Sequence, residues 1–252
     1  QVLNHLSENG VGHIVRYFEN DIIMSSNPTR YDVYILMEYL TPLEEYLRTN
    51  DFTVGDVLNL AEDVLVALRA CHANGVWHRD IKDDNIFVAG NGDYKIGDFG
   101  VSKVLKDSSK AESLKGTPNF LAPEVYLGRS GYTETVDLYS LGIVLYRLLN
   151  YRRNPFLPKF PEQYFSQDEE MAFIKRMAGE LPEHPAMGGE KVGAVVVKAL
   201  ANSNDRYQTA EEFLRDLEAA KRETDGDILV QSLKMETLTQ STESRESERG
   251  QY

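Results

Sequence analysis

The first half of the chain switches between extended and helical patterns of apolar residues. Residues 31–39 are rich in β-branched and aromatic side chains, which predicts a strand. In the segment TPLEEYL that follows, Thr41 suits the N-cap of a helix and Pro42 its first position. Apolar residues then recur at helical spacing from residue 53 to residue 73, and Gly75 is a stop signal just beyond them. A strand, a short helix and a long helix are therefore expected in this order.

A β-hairpin is expected soon after the long helix. The short runs IFV (86–88) and YKI (94–96) are typical of strands, and an Asn-Gly pair between them is a strong turn signal. Polar loops flank the hairpin, with HRDIKDDN at 78–85 and GDFG at 97–100. Ionised side chains are rarely buried without partners. The first loop is therefore either a solvated turn between two elements or a catalytic loop.

The second half of the chain is predicted to be helical. Residues 136–149 are apolar nearly all round, as expected of a helix buried in a core. Residues 168–180 are amphipathic, and residues 209–223 open with a Thr-to-Glu capping pair. Residues 223–252 hold seven acids and three bases, so net −4, together with many Ser, Thr and Gln. That composition predicts a disordered acidic tail over 223–252.

Composition and charge narrow the class of protein. The chain has 252 residues, 42% hydrophobic and 27% charged, which is a globular composition. Its formal net charge of −13 argues against non-specific binding to nucleic acids or anionic membranes. Cys71 is the single cysteine, so no intrachain disulfide is possible, and a cytoplasmic location is expected. No apolar run approaches the ~20 residues that span a bilayer, so no membrane segment is expected in this chain.

Three polar side chains are placed to meet where the predicted hairpin begins and ends. Asp80 and Asn85 precede the hairpin and Asp98 follows it, and a hairpin brings its two ends together. Carboxylate and amide oxygens suit Mg²⁺, which usually binds one or two carboxylates together with substrate phosphates. A further Asp can orient a hydroxyl, and a Lys can neutralise a transferring phosphoryl group. The arrangement therefore points to phosphoryl transfer.

Three short motifs resemble those of one enzyme family. HRDIKDDN, DFG and APE (122–124), in this order, are similar to the catalytic loop, the metal loop and the end of the activation segment of eukaryotic-type (Hanks-type) serine/threonine protein kinases, especially bacterial ones. The resemblance covers about residues 1–222 and implies an α+β, protein-kinase-like fold. Residues 1–38 would be a remnant of the small lobe, with the end of one helix and two strands of an incomplete antiparallel sheet. Residues 39–222 would form the mostly helical large lobe.

The resemblance implies roles for the residues of the catalytic and nucleotide sites. Asp80 would accept or orient the proton of the substrate hydroxyl, and Lys82 would contact the γ-phosphate of ATP. Asn85 and Asp98 would hold Mg²⁺. The adenine-binding set, with the gatekeeper first, the hinge next and the floor of the pocket last, would be Met37, Glu38, Tyr39, Leu40 and Phe87.

Other residues would hold the site together. The hydrophobic stack that links the two lobes would consist of Leu3, Tyr17, His78 and Phe99. Glu124 and Arg206 match a buried ion pair that anchors the activation segment. Asp137, in the apolar helix, would hold the backbone of the catalytic loop.

The resemblance also implies a regulated activation segment. Arg79 would bind a phosphate on that segment or simply a nearby carboxylate. Ser113 is the expected phosphorylated residue, with Ser108 and Ser109 as rivals. Thr117 is expected to make a fixed structural hydrogen bond rather than to be a regulated site.

The sequence departs from the family at its N-terminal end. These 252 residues contain neither the Gly-rich strand pair nor the ATP-clamping Lys of the family, so the chain is interpreted as cut inside the small lobe and as inactive alone. The expected partners are ATP and proteins with Ser or Thr acceptors, and nucleic acids are not expected. Two alternatives stay open. One is a non-catalytic interaction module with the kinase fold, and the other is a small-molecule phosphotransferase of related fold.

Overall fold

The computed structural model describes residues 11–24, 31–99, 119–129 and 131–231 of the chain. A single cluster of buried apolar side chains extends from Ile14 to Val230, so most of the described helices and two of the three described sheets share one core. Helices predominate and the sheets are small and antiparallel, which confirms the predicted α+β class. Among the described residues, no helix is both long enough and apolar enough to cross a membrane.

The strands form three small sheets. They are β1 (Tyr17–Met24), β2 (Tyr31–Met37), β3 (Thr41–Pro42), β4 (Phe52–Thr53), β5 (Ile86–Val88), β6 (Tyr94–Ile96) and β7 (Leu229–Gln231). β1 pairs with β2, β5 lies between β3 and β6, and β4 pairs with β7, all antiparallel. A bridge between Ile14 and Ile96 joins the residues before β1 to the hairpin β5–β6.

The helices fall close to the predicted segments. They are α1 (Leu43–Thr49), α2 (Val54–Ala73), α3 (Pro123–Tyr126), α4 (Thr135–Leu148), α5 (Ser166–Met177), α6 (Gly189–Ala199) and α7 (Ala210–Lys221). The hairpin β5–β6 and the long helices α2, α4, α5 and α7 confirm the sequence predictions, with ends shifted by a few residues. The strand predicted over 31–39 ends at Met37.

The long helix α2 begins at a two-way cap and packs through its apolar face. The Asp56 N–H donates to Thr53 Oγ1 over 3.1 Å, and the Thr53 N–H donates to Asp56 Oδ2 over 2.8 Å. This capping box satisfies N–H groups that lack acceptors within the helix. Gly75, just past the end, has a φ of +70°, the left-handed conformation that makes glycine a stop signal.

Helix α4 runs through the centre of the core. Every one of its residues except Arg147 is buried, as its apolar pattern predicts. A Cβ on Gly142 would lie 2.9 Å from the Cβ of Ala199, so the glycine permits the close approach of α4 to the end of α6. Asp137, in the first turn of this helix, is fully buried.

Two sequence predictions about element boundaries are wrong. Thr41 does not cap a helix: it pairs with Val88 in the sheet, and α1 begins at Leu43 with no side-chain cap. The tail predicted from residue 223 is ordered as far as residue 231, because β7 pairs with β4 and the side chain of Val230 is buried. Composition misses this strand, since three apolar residues are too few to change the polar average of the segment.

The segment before β7 caps helix α2 from outside. The N–H groups of Val54 and Gly55 donate to the carbonyls of Ile228 and Gly226, each over 2.8 Å. The first N–H groups of a helix have no acceptor within it. Residues 226–231 therefore complete the start of the helix that leads into the 78–85 loop. The remaining part of the predicted tail, residues 232–252, lies outside the described residues.

Candidate active site

The backbone at the start of the 78–85 loop is held by one buried carboxylate. Asp137 accepts the N–H of His78 over 2.9 Å and the N–H of Arg79 over 2.7 Å. The ring of His72 lies 2.9 Å from the same carboxylate. Arg79 has a φ of +63°, a conformation that costs free energy for any residue with a side chain. The hydrogen bonds to Asp137 hold the loop in this strained turn. This is the role that the family resemblance implies for Asp137.

Asp80, Lys82 and Asn85 lie together on the loop. The side-chain amide of Asn85 donates to the Asp80 carbonyl over 2.7 Å and to its carboxylate over 3.0 Å. Lys82 Nζ lies 3.4 Å from the Asp80 carboxylate, whose side chain is 41% exposed. An accessible carboxylate is thus held in a set direction beside an accessible ammonium group. Such a pair can orient a hydroxyl and neutralise charge at a phosphoryl group.

The hairpin brings the Asp98 loop to the 78–85 loop. The N–H of Gly97 donates to the Asn85 carbonyl over 3.0 Å, and His78 Nε2 lies 2.8 Å from the Gly97 carbonyl. Asp98 itself is exposed and has a φ of +55°, a second strained residue at the site. Its N–H donates to the Tyr17 hydroxyl over 3.2 Å.

A buried stack lies behind these polar groups. The rings of His78 and Phe99 are 4.4 Å apart, and both are buried. Burial lowers the pKa of His78, which favours the neutral ring. Burial also raises the pKa of Tyr17, so its hydroxyl keeps its proton. The fourth expected member, Leu3, lies outside the described residues.

The predicted hinge is tied to the hairpin through a side chain. The carboxylate of Glu38 accepts the N–H of Arg16 over 2.7 Å, and Lys95 Nζ lies 2.9 Å from both of its oxygens. Lys95 is the cross-strand neighbour of Phe87, the predicted floor of the adenine pocket. The rest of the predicted adenine set varies in exposure: Met37 is 39% exposed, Tyr39 98% exposed and Leu40 half-buried.

The segment that ends in APE is anchored by a buried ion pair. The guanidinium of Arg206 makes two 2.9 Å contacts with the Glu124 carboxylate and lies 4.8 Å above the Tyr139 ring. Its side chain is fully buried, so the pair is removed from water. Arg79 stacks its guanidinium 5.0 Å from the Trp77 ring. Ser113 and Thr117 lie outside the described residues.

Sequence reasoning missed a group of buried charges beneath the site. Asp83 lies in the segment HRDIKDDN (78–85), but its spacing in the sequence does not reveal that Arg147 and Arg152 contact it. Burial raises the pKa of Asp83 to about 6, although the charge of Arg147 opposes the shift. The one available signal is Arg147 itself, which with Asp137 is one of two charged residues in a largely apolar helix. Arg176, which donates to the Asn119 carbonyl from α5, was missed as well.

The donor set fits a magnesium–nucleotide complex better than a protein-only metal site. Among the described residues, no three His, Cys, Asp or Glu side chains cluster as metal ligands. Asn85 turns its amide nitrogen toward Asp80, which directs the amide oxygen away as a ligand atom. One amide oxygen and the exposed carboxylate of Asp98 suit Mg²⁺, which takes its remaining ligands from water and phosphates.

Comparisons with known proteins agree with this geometry. The protein kinase domain family matches residues 1–225. Serine/threonine-protein kinase Pkn1 of Myxococcus xanthus is 35% identical over 233 residues, which cover 85% of this chain and 31% of Pkn1. Serine/threonine-protein kinase PknB of Mycobacterium leprae is 33% identical over 195 residues, which cover 73% of this chain and 30% of PknB.

The similarity reaches beyond bacteria. The cell cycle serine/threonine-protein kinase CDC5/MSD2 of Saccharomyces cerevisiae is 36% identical over 154 residues, which cover 59% of this chain and 21% of the yeast protein. The chain spans less than a third of the length of these relatives. Motif order, site geometry and a family match over residues 1–225 lead to one conclusion. The chain belongs to the protein kinase family, as a Hanks-type serine/threonine kinase catalytic domain.

Proposed function

We propose that the protein transfers the γ-phosphate of ATP to Ser or Thr hydroxyls of protein substrates. The observation that carries this proposal is the arrangement of the catalytic loop. Asp80 is accessible, is held by the Asn85 amide and lies beside Lys82, on a loop whose backbone is fixed by Asp137. Such an arrangement serves a reaction in which the protein mainly positions groups and compensates charge.

Each residue of the loop has a separate task in the proposed reaction. Asp80 accepts or orients the proton of the attacking hydroxyl. Lys82 neutralises negative charge on the transferring phosphoryl group. Asn85 and Asp98 would hold Mg²⁺, and the bound ion would supply Lewis-acid stabilisation of the phosphate oxygens. Phe87 and the hinge residues Glu38 to Leu40 hold the adenine, with Met37 at the rear of the pocket.

The class of substrate and the setting follow from the same features. Lys82 stands two residues after Asp80, as in serine/threonine kinases, which supports Ser and Thr as acceptors. The net charge of −13 disfavours nucleic-acid partners, and the single, buried Cys71 is compatible with the cytoplasm. Ser113 is proposed as the phosphorylated residue of the activation segment, with Arg79 as its partner.

The test is a phosphorylation assay with paired variants. Residues 1–252, and an extended form in which a segment with the Gly-rich loop and Lys of the family is joined before Gln1, are incubated with Mg²⁺, ATP and a generic basic peptide. We expect phosphoserine or phosphothreonine from the extended form, and at most slow turnover from residues 1–252. Asp80→Asn should abolish transfer while leaving nucleotide affinity nearly intact. Asp98→Ala should weaken Mg²⁺-dependent ATP binding, measured by calorimetry.

Two outcomes would contradict the proposal. Single-turnover rates of Asp80→Asn within tenfold of the parent would contradict the role of Asp80. An extended form that binds ATP but phosphorylates no peptide or protein would favour the non-catalytic interaction module. Phosphorylation of small molecules alone would favour the related phosphotransferase.

A further inference from the structure

An ion-pair network surrounds the carboxylate of Asp83, a residue of the catalytic loop between Lys82 and Asn85. Asp83 opens the 3₁₀ turn Asp83–Asn85, and its side chain is 5% exposed. Its carboxylate lies 3.4 Å from Arg147 Nη2 and 3.0 Å from Arg152 Nη2. A buried carboxylate stays ionised only when nearby cations compensate for the lost water. The two arginines therefore set the charge and direction of a side chain that stands between two functional residues.

Arg152 reaches Asp83 from a strained loop. Tyr151 and Arg152 have φ angles of +52° and +63°, which are unfavourable for residues with side chains. Such conformations persist where surrounding contacts over-determine them. Arg152 also forms an ion pair with Glu44 in the first turn of α1, the helix that follows the hinge. The contacts with Glu44 and Asp83 together compensate for the strain.

Arg147 extends the network toward the activation segment. It is the only residue of α4 that is not buried, and its guanidinium lies 5.1 Å from the Phe120 ring. It also donates to the Asn154 side chain over 3.4 Å. The Phe120 carbonyl accepts the hydroxyl of Ser140 over 2.8 Å, so the backbone at Phe120 is held against α4 as well. Arg147 thus contacts the catalytic loop and the segment just before APE at the same time.

We propose that Asp83 is a positioning residue for phosphoryl transfer: its ion pairs with Arg147 and Arg152 set the turn that presents Lys82 and Asn85, and they couple this turn to the activation segment at Phe120. The inference rests on the proposed function. It explains why three buried or half-buried charges are kept beneath a loop whose chemistry uses none of them.

The test is a set of charge variants in the form of the protein that is active in the assay above. Asp83→Asn keeps the shape of the side chain and removes its charge. We expect its kcat to fall about tenfold or more, since a misplacement of ~1 Å can cost ~10²-fold. The KM for the peptide should change less than about threefold, and the affinity for Mg·ADP, measured by calorimetry, should fall through Asn85. A residue that serves stability alone would change none of these values in the folded enzyme.

Further variants separate charge from packing. Arg152→Met should lower kcat like Asp83→Asn, and Arg152→Lys should restore most of it. The double variant Asp83→Asn/Arg152→Met should be little worse than either single variant, because each single variant already removes the Asp83–Arg152 ion pair. Arg69→Met is the matched control: it removes an exposed arginine of α2 that pairs with Glu211 of α7, and it should leave kcat unchanged. If Asp83→Asn does not fold, the kcat of two other variants tests the inference in its place. They are Arg152→Met, at a half-buried position, and Glu44→Gln, which removes the charge that pairs with Arg152.

The possible results are distinct. Wild-type kcat in Asp83→Asn and Arg152→Met, or fully multiplicative losses in the double variant, would overturn the inference while leaving the proposed function intact. A parent protein with neither transfer activity nor Mg·ADP binding would overturn the proposed function itself.

Discussion

Two hairpins among the described residues, β1–β2 and β5–β6, have the same antiparallel pairing and opposite surroundings. In β5 and β6 the first and last residues of each strand are buried, including the facing pair Ile86 and Ile96. In β1–β2 every residue after Tyr17 is exposed, and the facing pair Ile22 and Val33 are each 59% exposed. Both pairs are apolar, so sequence character alone does not separate the two hairpins.

The difference shows where the order of the active site originates. The β5–β6 hairpin is covered by α2, joined to His13 and Val15 by backbone hydrogen bonds, and continued into the two functional loops. The described residues place no comparable cover over β1–β2. We infer that the 78–85 loop and the loop that holds Asp98 are set mainly by the packing of the β5–β6 hairpin against α2 and by the anchor at Asp137, and that they depend little on the exposed part of β1–β2.

The largest expected effect on stability comes from changing Asp137, which anchors the loop that leads into the buried β5–β6 hairpin. Asp137→Asn takes the charge from a buried group that accepts the N–H groups of His78 and Arg79. The free energy of unfolding should fall by about 3 kcal/mol, the cost of leaving buried partners unsatisfied. Urea denaturation measures it. The same change at Asp21, an exposed residue of β1, should leave the free energy of unfolding unchanged, and equal losses at both positions would contradict the comparison.

A smaller effect on stability is expected from a C-terminal truncation that removes β7, the last described strand. A chain that ends at residue 225, where the family match ends, loses β7 and the buried Val230. It should be about 2 kcal/mol less stable than the full chain, since burying a Val side chain contributes about 1.5–3 kcal/mol. A chain that ends at residue 231 is the control and should match the full chain in thermal denaturation. Equal stability of all three chains would show that β7 does not belong to the core.

The smallest effect on stability is expected in the exposed hairpin. The cross-strand change Ile22→Lys with Val33→Glu replaces two exposed apolar side chains by an opposite-charge pair, so the free energy of unfolding should change by less than about 0.5 kcal/mol. Self-association, measured by sedimentation velocity, should decrease because an exposed apolar face is lost. A fall in stability comparable to that of Ile86→Thr, in the buried hairpin, would show that β1–β2 has cover that these contacts do not reveal.

How much the sequence predicts depends on the distance over which each feature is set. The β5–β6 turn and the long helices follow from local residues, so Asn91-Gly92 and the apolar repeat of α2 suffice to place them. The motif order likewise places Asp80, Asn85 and Asp98 at the ends of one hairpin. Thr41 is misread because a strand partner at Val88 competes with capping.

Contacts between remote segments are predicted only where the family resemblance implies them, as for Glu124 with Arg206 and Asp137 with the 78–85 loop. The partners of Asp83 come from the end of α4 and the loop after it, and β7 is ordered only because β4 accepts it. Such contacts depend on the finished packing, and neither periodicity nor capping rules describe them.

Hydrogen exchange tests the central claim most directly, because it compares both hairpins within one molecule. Residues 1–252 are exchanged into D₂O without nucleotide and read by NMR or mass spectrometry. The amides of His78, Arg79 and Gly97 and those of the strands β5 (86–88) and β6 (94–96) should exchange only with global unfolding. The amides of residues 17–24 and 31–37 should exchange on the order of 10²-fold faster or more. Equal protection in the two hairpins, or exchange of the 78–85 loop as fast as that of β1–β2, would contradict the claim that the packing of β5–β6 and the anchor at Asp137 set this loop.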